Sequence, residues 1–395
     1  MSTSFPWRLL LACLAIGLLL RLGLVLATPP GFASFTPGDR QYYHRLAVGL
    51  AAGRGLVDSY TSREPAPTAF TVPGAPVYMA VLYRVCGPHP QVVRVANALL
   101  DTVTVVLIFL FAWRLSGRAR LAAVASALYA LSPLHLLKVA DWDTMVPATF
   151  MVALTLYVDR VVPARGRGLV VGLLVGLGCL VRPALLLVMP AVLLIGRKGV
   201  DRAYLWDLGW AMLGGAVAIS PWVVRNYLVF HHFIPFGYQS SWVFYRGWFM
   251  DGLTTPQANA AALNVHKTLG GVAMQSVYLQ EGVRVILADP AHALALAVQK
   301  VFRFWLHLCM AYPPEPKHLA VAAWYATLYL APAFVGIRSG LPQGYRRACW
   351  VVVLLATGLH MATYASVVYS LPYYPALMPA VAAGWLALGH RVLRR

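Results

Sequence analysis

The sequence predicts an all-α membrane protein that crosses the bilayer about ten times, and two observations carry that prediction. The 395 residues are 60% hydrophobic and 11% charged, with a mean hydropathy of +0.67. A chain that apolar has too little polar surface to cover a water-soluble domain. Several apolar stretches run for roughly 18 residues or more with few charges, the length that crosses ~30 Å of hydrocarbon. The second observation is where the charges fall. Five basic clusters (Arg114, Arg118, Arg120; Arg160, Arg165, Arg167; Arg197, Lys198, Arg202; Arg338, Arg346, Arg347; Arg391, Arg394, Arg395) lie in gaps distinct from those holding Asp39, Asp141 and Asp143. Lys and Arg are enriched in cytoplasmic loops. Placing the five clusters inside brings both acidic gaps out on the opposite face.

The spans follow in order. Residues 7–27 resemble a signal peptide, but the run is long and carries Arg21, which predicts an uncleaved first span. It opens into a Pro- and Gly-rich outer stretch, 28–90, in which 41–52 and 75–85 are short and amphipathic. Segments of about 10–14 residues are too short to cross and suit helices lying along the interface. Spans at 91–113, 119–137 and 144–159 come next, with the Lys138–Asp143 gap outside. A tight pair, 168–181 and 183–196, has Arg182-Pro183 at its outer tip, and 203–228 ends outside at Arg225-Asn226. A second outer region, 229–319, starts aromatic and carries an amphipathic stretch, 283–310. Spans at 320–337, 347–369 and 373–390 bring both termini inside. The expected organisation is one membrane domain over 1–395: a module at 7–228 that includes the outer loop 28–90, an outer region at 229–319, and C-terminal spans at 320–390, with no soluble domain.

A net charge of +19 raises the question of nucleic acid. Half the basic residues are Arg8 and the five inner clusters, which the inside-positive bias already explains, so no nucleic-acid partner is expected. The outer basic residues, among them Arg63, Lys138, Arg182, Arg225, Lys300 and Arg303, fit either lipid headgroup contact or an anionic lipid or phosphate ligand. The five cysteines are scattered singly, with no metal or disulfide spacing, and read as core packing.

Ionisable groups inside spans are expensive and face protein or water. Arg21 and Asp101 are two such groups, expected to pair across adjacent helices, with a substrate contact as the rival reading. The outer carboxylates bear more directly on function. Asp39 follows the Pro37-Gly38 turn and opens the short helix holding Tyr42 and Tyr43, and Asp143 heads the fourth span two residues after Asp141. Each is an N-cap by type, or a general base with a second acid to tune it or help hold a metal. His231 and His232 fit interfacial packing or ligation, and Tyr238, Trp242, Tyr245 and Trp248 fit an interfacial aromatic belt or sugar stacking.

The order of local patterns resembles the GT-C superfamily of lipid-phosphate-sugar-dependent glycosyltransferases, in the branch of the protein O-mannosyltransferases and the lipid A aminoarabinose transferase. The resemblance rests on Gly38-Asp39 with Tyr43, on Gly53-Arg54-Gly55, and on Phe70-Thr71-Val72-Pro73-Gly74-Ala75-Pro76-Val77-Tyr78. Arg94 and Asn97, Gly176 to Pro183, Ser220 to Tyr227, Asp289-Pro290 leading to Lys300 and Arg303, and Leu371 to Pro375 continue it across 7–390. Val72 and Tyr42 stand where relatives often carry basic residues, which bears on substrate rather than fold.

That resemblance implies a GT-C-like bundle with interfacial helices in the first outer loop. It implies a polyprenyl-phosphate-linked sugar donor, a lipid, glycan or protein acceptor, and a site on the outer face of the bacterial inner membrane. By the same resemblance Asp39 is the catalytic aspartate, Asp143 the second acid, and Arg182 the contact to the lipid phosphate. Arg225, Lys300 and Arg303 join the donor-binding set, and Asp141, Tyr42, Tyr43 and Arg63 are accessory candidates. No cofactor is required, and a divalent cation is left open. The chemistry expected is inverting transfer, with Asp39 deprotonating the acceptor and arginines supporting the departing phosphate. Two other classes stay open. A secondary transporter is expected to show repeated halves and interrupted helices at mid-depth; the chain has no convincing internal repeat, and its acids fall in outer loops rather than at mid-depth. A non-catalytic lipid-binding relative shares the fold, since fold does not imply activity.

Overall fold

The computed structural model describes residues 5–29, 37–58, 65–249, 272–308 and 316–392, with backbone alone for 37–39 and 391–392. Helices carry the architecture, and one short antiparallel ribbon pairs Val57–Asp58 with Ala66–Pro67. In chain order the helices begin with α1 (Trp7–Ala27), α2 (Pro37–Ala51), α3 (Gly74–Cys86), α4 (Pro90–Ser116), α5 (Ala119–Ala130) and α6 (Pro133–Val139). Next come α7 (Met145–Val161), α8 (Arg167–Val181), α9 (Val188–Leu194), α10 (Arg202–Phe230) and α11 (Gln239–Phe249). The chain ends with α12 (Ala273–Ala288), α13 (Pro290–Leu306), α14 (Pro316–Tyr325), α15 (Ala331–Ile337), α16 (Gln343–Ala362) and α17 (Tyr374–Val392).

All ten expected spans coincide with helices. Among the described residues, six are long and apolar enough to cross a membrane, or eight if each of two bent pairs counts as one span. The remaining expected spans are α7, the short apolar segment Pro183–Leu194, and α16, which carries Arg346 and Arg347 in its first turn. The protein is an integral membrane protein. The break between α5 and α6, bent by 58°, falls at Ser132-Pro133, where proline's ring and missing N–H end a helix. A second break corrects the expectation of one amphipathic stretch at 283–310. There α12 and α13 meet at 108° across Asp289-Pro290. Pro290 starts the new helix, and the Asp289 carboxylate caps it by accepting from His292 N at 2.9 Å.

Lipid is as apolar as leucine, so helix pairing in a membrane depends on close packing and polar links rather than on hydrophobic burial. Both are present. Gly168, Gly172 and Gly176 line one face of α8 and let α10 approach backbone to backbone. A Cβ at Gly172 would stand 2.0 Å from Ala211 O, and one at Gly168 2.3 Å from Asp207 O. The predicted link between α1 and α4 is formed as an ion pair, with Arg21 Nε 2.6 Å from Asp101 Oδ2. Both groups are shut off from lipid. Arg94, near the start of α4, donates to the carbonyls of Val25 and Thr28 and satisfies the otherwise open end of α1.

Helices α7 and α8 run between two charged ends. At one end Asp159 Oδ1 accepts from Arg167 Nε at 2.6 Å, and Arg197 bonds Asp207 close by. These arginines belong to the basic clusters of the predicted inner face. Asp143 and Arg182 sit at the other ends of the same two helices. About 17 residues of helix separate those ends by about 25 Å, close to the thickness of a bilayer core.

Candidate functional site

The site is built where α6 gives way to α7. Lys138 Nζ stands between two carboxylates, 2.6 Å from Asp141 Oδ2 and in contact with Asp143 Oδ2. Each acid also takes a backbone donor: Met145 N donates to Asp143 Oδ1 at 2.8 Å, and Trp142 N to Asp141 Oδ1 at 3.1 Å. Asn97 Nδ2 donates to the Asp141 carbonyl at 2.6 Å and is itself held by Tyr78. Arg40, in the first outer helix, brings its Nε to 3.4 Å from Asp141 Oδ1 and lays its guanidinium over Trp142. Two buried carboxylates are thus matched by two buried cations, as charges removed from water require. Burial raises the Asp143 carboxyl above its ordinary range; the Lys138 ammonium opposes that shift and Asp141 adds to it.

Beside this cluster lies a cavity of about 330 Å³. Its walls come from the first outer loop (Tyr43, Phe70 to Val72), the head of α7 (Asp143 to Met145) and the hairpin tip (Val181 to Ala184). Gln239 and Ser240 of α11 and the segment from Leu359 to Tyr369 complete it. Arg182 is the cation in this wall. The proline after it ends α8, leaving Arg182 extended at φ −151°. Its Nη1 donates to Thr144 Oγ1 at 3.4 Å, its guanidinium stacks 3.9 Å from the Tyr369 ring, and its Nε has no hydrogen-bond partner among the described residues. Helix α3 presses on the same turn, and a Cβ at Gly74 would meet Leu180 O at 2.5 Å.

The cavity brings Asp143, Arg182 and Tyr43 together. Tyr42 is buried beside them, its ring edge-on to Phe70 at 5.6 Å, and is not part of the wall. The other basic candidates lie elsewhere. Arg225 Nη1 donates to Thr68 O at 2.9 Å and its guanidinium lies near Trp222 and Phe230, so it ties α10 to the first outer loop. Lys300 donates to Thr363 O at 2.6 Å and lies over Trp248, and Arg303 donates to Ala365 O. Both hold the backbone that follows α16 and stand behind the cavity wall. The expected donor-binding set of Arg182, Arg225, Lys300 and Arg303 is thus represented in this cavity by Arg182.

Further differences from the expected picture concern the outer segments. Asp39 is the third residue of α2, which starts at Pro37 rather than at 41; its side chain lies outside the described residues, as does Arg63. Tyr238 and Trp248 are buried, and Trp242 and Tyr245 pack on Tyr278, so the aromatic run forms a core and not a belt. Trp248 also donates to Ala362 O at 3.0 Å. Of the cysteines, Cys13, Cys179 and Cys349 are buried, Cys86 is exposed, and Cys309 lies outside the described residues. Among the described residues no group of three or more His, Cys, Asp or Glu side chains converges. Asp141 and Asp143 do not fit a divalent cation, because the Lys138 ammonium already stands between them.

Lys138 and Arg40 are legible in the sequence only as outer basic residues, and Thr144, His360 and Tyr369 carry no functional reading there. The spacing of Lys138, Asp141 and Asp143 held a usable signal, since three residues separate partners on one helical turn. His360 and Tyr369 lie more than two hundred residues from Asp143 and offered none.

The multi-pass helical bundle has the GT-C fold. The family model described as dolichyl-phosphate-mannose-protein mannosyltransferase matches residues 67–224. The structure aligns with the Archaeoglobus fulgidus oligosaccharyltransferase tethered to an acceptor peptide, at a TM-score of 0.60 and 13% identity, covering 95% of this chain and 49% of that one. It aligns with the Archaeoglobus fulgidus oligosaccharyltransferase AglB in complex with an inhibitory peptide and a dolichol-phosphate at 0.58 and 14%, covering 98% and 51%. The chain thus spans about half the length of these relatives. ArnT from Cupriavidus metallidurans bound to undecaprenyl phosphate aligns at 0.47 and 15%, covering 99% and 80%, a score that adds nothing to the fold assignment. Among curated proteins none matches the chain.

Proposed function

We propose that the protein is an inverting glycosyltransferase that moves a sugar from a polyprenyl-phosphate donor to an acceptor at the outer face of the bacterial inner membrane. The observation that carries this reading is the pairing of Arg182 with Asp143 on one cavity of about 330 Å³ whose remaining wall is largely apolar. The structurally similar AglB has been captured with a dolichol-phosphate and an inhibitory peptide, and the Archaeoglobus fulgidus oligosaccharyltransferase with a tethered acceptor peptide, which fits a lipid-linked donor and a separate acceptor.

In this reading the donor phosphate lies against Arg182, whose Nε lacks a partner and whose fork can give two parallel hydrogen bonds. Asp39 takes the proton of the acceptor hydroxyl or amine. The acceptor atom bonds the anomeric carbon from the face opposite the phosphate, and the bond from that carbon to the phosphate oxygen breaks. The electron pair leaves with the polyprenyl phosphate, whose growing charge Arg182 offsets. Arg40 anchors the first outer helix to Asp141 and so sets the backbone next to Asp39 beside the acid cluster. Asp143, tied to Lys138, keeps the field of that cluster on the cavity wall. Exclusion of water by the apolar walls limits donor hydrolysis.

The test is purified protein in lipid nanodiscs against a panel of polyprenyl-phosphate sugars, read by donor consumption. Asp39→Asn is expected to lower turnover by roughly a hundredfold or more, the usual size of general-base catalysis, with donor affinity little changed. A residue serving only as a helix cap would tolerate asparagine. Full turnover in Asp39→Asn ends the assignment.

A further inference from the structure

His360 closes α16 and is buried, 4% exposed, in the cavity wall that also holds Arg182 and Asp143. Its ring stacks on Phe304 at 4.5 Å, which fixes the plane of the imidazole. Nδ1 lies 2.9 Å from the carbonyl oxygen of Tyr364. A carbonyl oxygen brings no proton, so Nδ1 must donate. In the neutral ring Nε2 then carries a lone pair and no hydrogen. That nitrogen has no hydrogen-bond partner among the described residues. A buried acceptor left unpaired is costly, and one carried by a residue of a cavity wall calls for a partner.

We propose that His360 Nε2 accepts a hydrogen bond from a hydroxyl of the sugar attached to the donor phosphate, and so helps determine which sugar is transferred. The inference rests on the glycosyl-transfer reading for the nature of the ligand. Its geometry is independent of that reading. Tyr369 links the two groups, with Arg182 stacked 3.9 Å over its ring and the His360 ring centroid 5.5 Å away. Arg182 and His360 thus border one ring and line one cavity, so a phosphate on the first leaves its sugar within the walls that include the second. A bare lone pair repels phosphate oxygens and takes a hydroxyl, which divides the wall between an anion and a sugar.

Two measurements test this, using full-length protein in nanodiscs with undecaprenyl phosphate and with undecaprenyl phosphate linked to mannose, glucose or galactose. The first is nitrogen-15 NMR of histidine-labelled protein. Nε2 of His360 is expected at the position of an unprotonated nitrogen, to stay there with bare lipid phosphate, and to move upfield with a sugar-bearing lipid that binds. A protonated Nε2 in the ligand-free protein near neutral pH overturns the proposal. The second is affinity. His360→Asn keeps an N–H for the Tyr364 carbonyl and removes Nε2, its own amide oxygen lying nearer the backbone; His360→Phe keeps the stacking on Phe304 and removes both nitrogens.

Each variant is expected to lose about threefold to tenfold in affinity for a sugar-bearing lipid, the value of one hydrogen bond, and nothing for bare undecaprenyl phosphate. Equal losses for both lipids, or none for either, overturn the proposal, as does a wild-type protein that binds no sugar-bearing lipid better than bare lipid phosphate. A wild-type protein that binds such a lipid through His360 yet never consumes it leaves this contact standing and sinks the transfer reading instead.

Discussion

Arg182 and Tyr369 stack with the guanidinium carbon 3.9 Å from the ring centroid, joining the tip of the α8 hairpin to the segment before the last helix. That contact holds the cavity cation in one orientation from a part of the chain nearly two hundred residues away. A cation over a tyrosine face is worth roughly 0.5–2 kcal/mol, more as water is removed.

Replacing Arg182 by lysine removes both the planar stack and the two-pronged phosphate contact. Affinity for undecaprenyl phosphate is expected to fall about tenfold, equivalent to ~1.4 kcal/mol, and further in Arg182→Ala. Tyr369→Leu, which leaves the guanidinium but not its platform, is expected to fall between wild type and Arg182→Lys. Titration by native mass spectrometry checks the order, and wild-type affinity in Arg182→Ala would remove Arg182 from the phosphate site.

Lys138 pairs with Asp143 and shares Asp141 with Arg40. Lys138→Met therefore leaves two buried carboxylates with Arg40 alone, and loss of one partner of a buried pair costs about 3–5 kcal/mol. Thermal unfolding in detergent should show a clear drop. The double variant Lys138→Met with Asp143→Asn should recover part of it, because one of the stranded charges is gone. No recovery would mean that Lys138 acts through something other than these carboxylates.

The α8–α10 seam depends on the lack of side chains. At Gly172 a leucine has no room, since even its Cβ would overlap Ala211 O. Gly172→Leu is expected to push the helices apart and destabilise by several kcal/mol, beyond the ~1–3 kcal/mol typical of an overpacked core. Gly209→Leu, at a position of α10 where a Cβ meets nothing within 4 Å, is the control and should unfold at the wild-type temperature. Similar melting of both variants would count against the seam.

The sidedness assigned from the basic clusters is checked at the two ends of α4. With the native cysteines replaced by alanine, His89→Cys and Arg118→Cys flank its 27 residues, and both positions are exposed. An impermeant thiol reagent added to intact cells should label position 89 and leave position 118 untouched. Labelling of both, or of 118 alone, would overturn the orientation.

Much of the architecture was legible in the order of residues because it depends on local properties. Span length, the inside-positive bias and proline breaks are written within about twenty residues of one another. The helices at the ten expected positions were readable on those terms, and the Ser132-Pro133 bend is a proline break of the same kind. Even the Arg21–Asp101 pair followed from two charges that had nowhere else to go in lipid. Asp143 and Arg182 were placed at span ends by the same local arithmetic.

The tertiary structure alone decided which of the outer cations face the cavity. Arg182, Arg225, Lys300 and Arg303 are alike by type and by position at outer segments, yet three of them bond backbone carbonyls of neighbouring loops and one lines the cavity. An arginine serves a phosphate or a carbonyl equally well, so residue type cannot distinguish them; only the chain that arrives opposite each guanidinium does. The same holds for Lys138, whose two partners come from the turn that ends its own helix, and for His360, whose free nitrogen is set by a carbonyl four residues on and whose cavity is set by residues of α7 and α8. Helix formation is a property of neighbours in sequence, whereas a site is a property of neighbours in space.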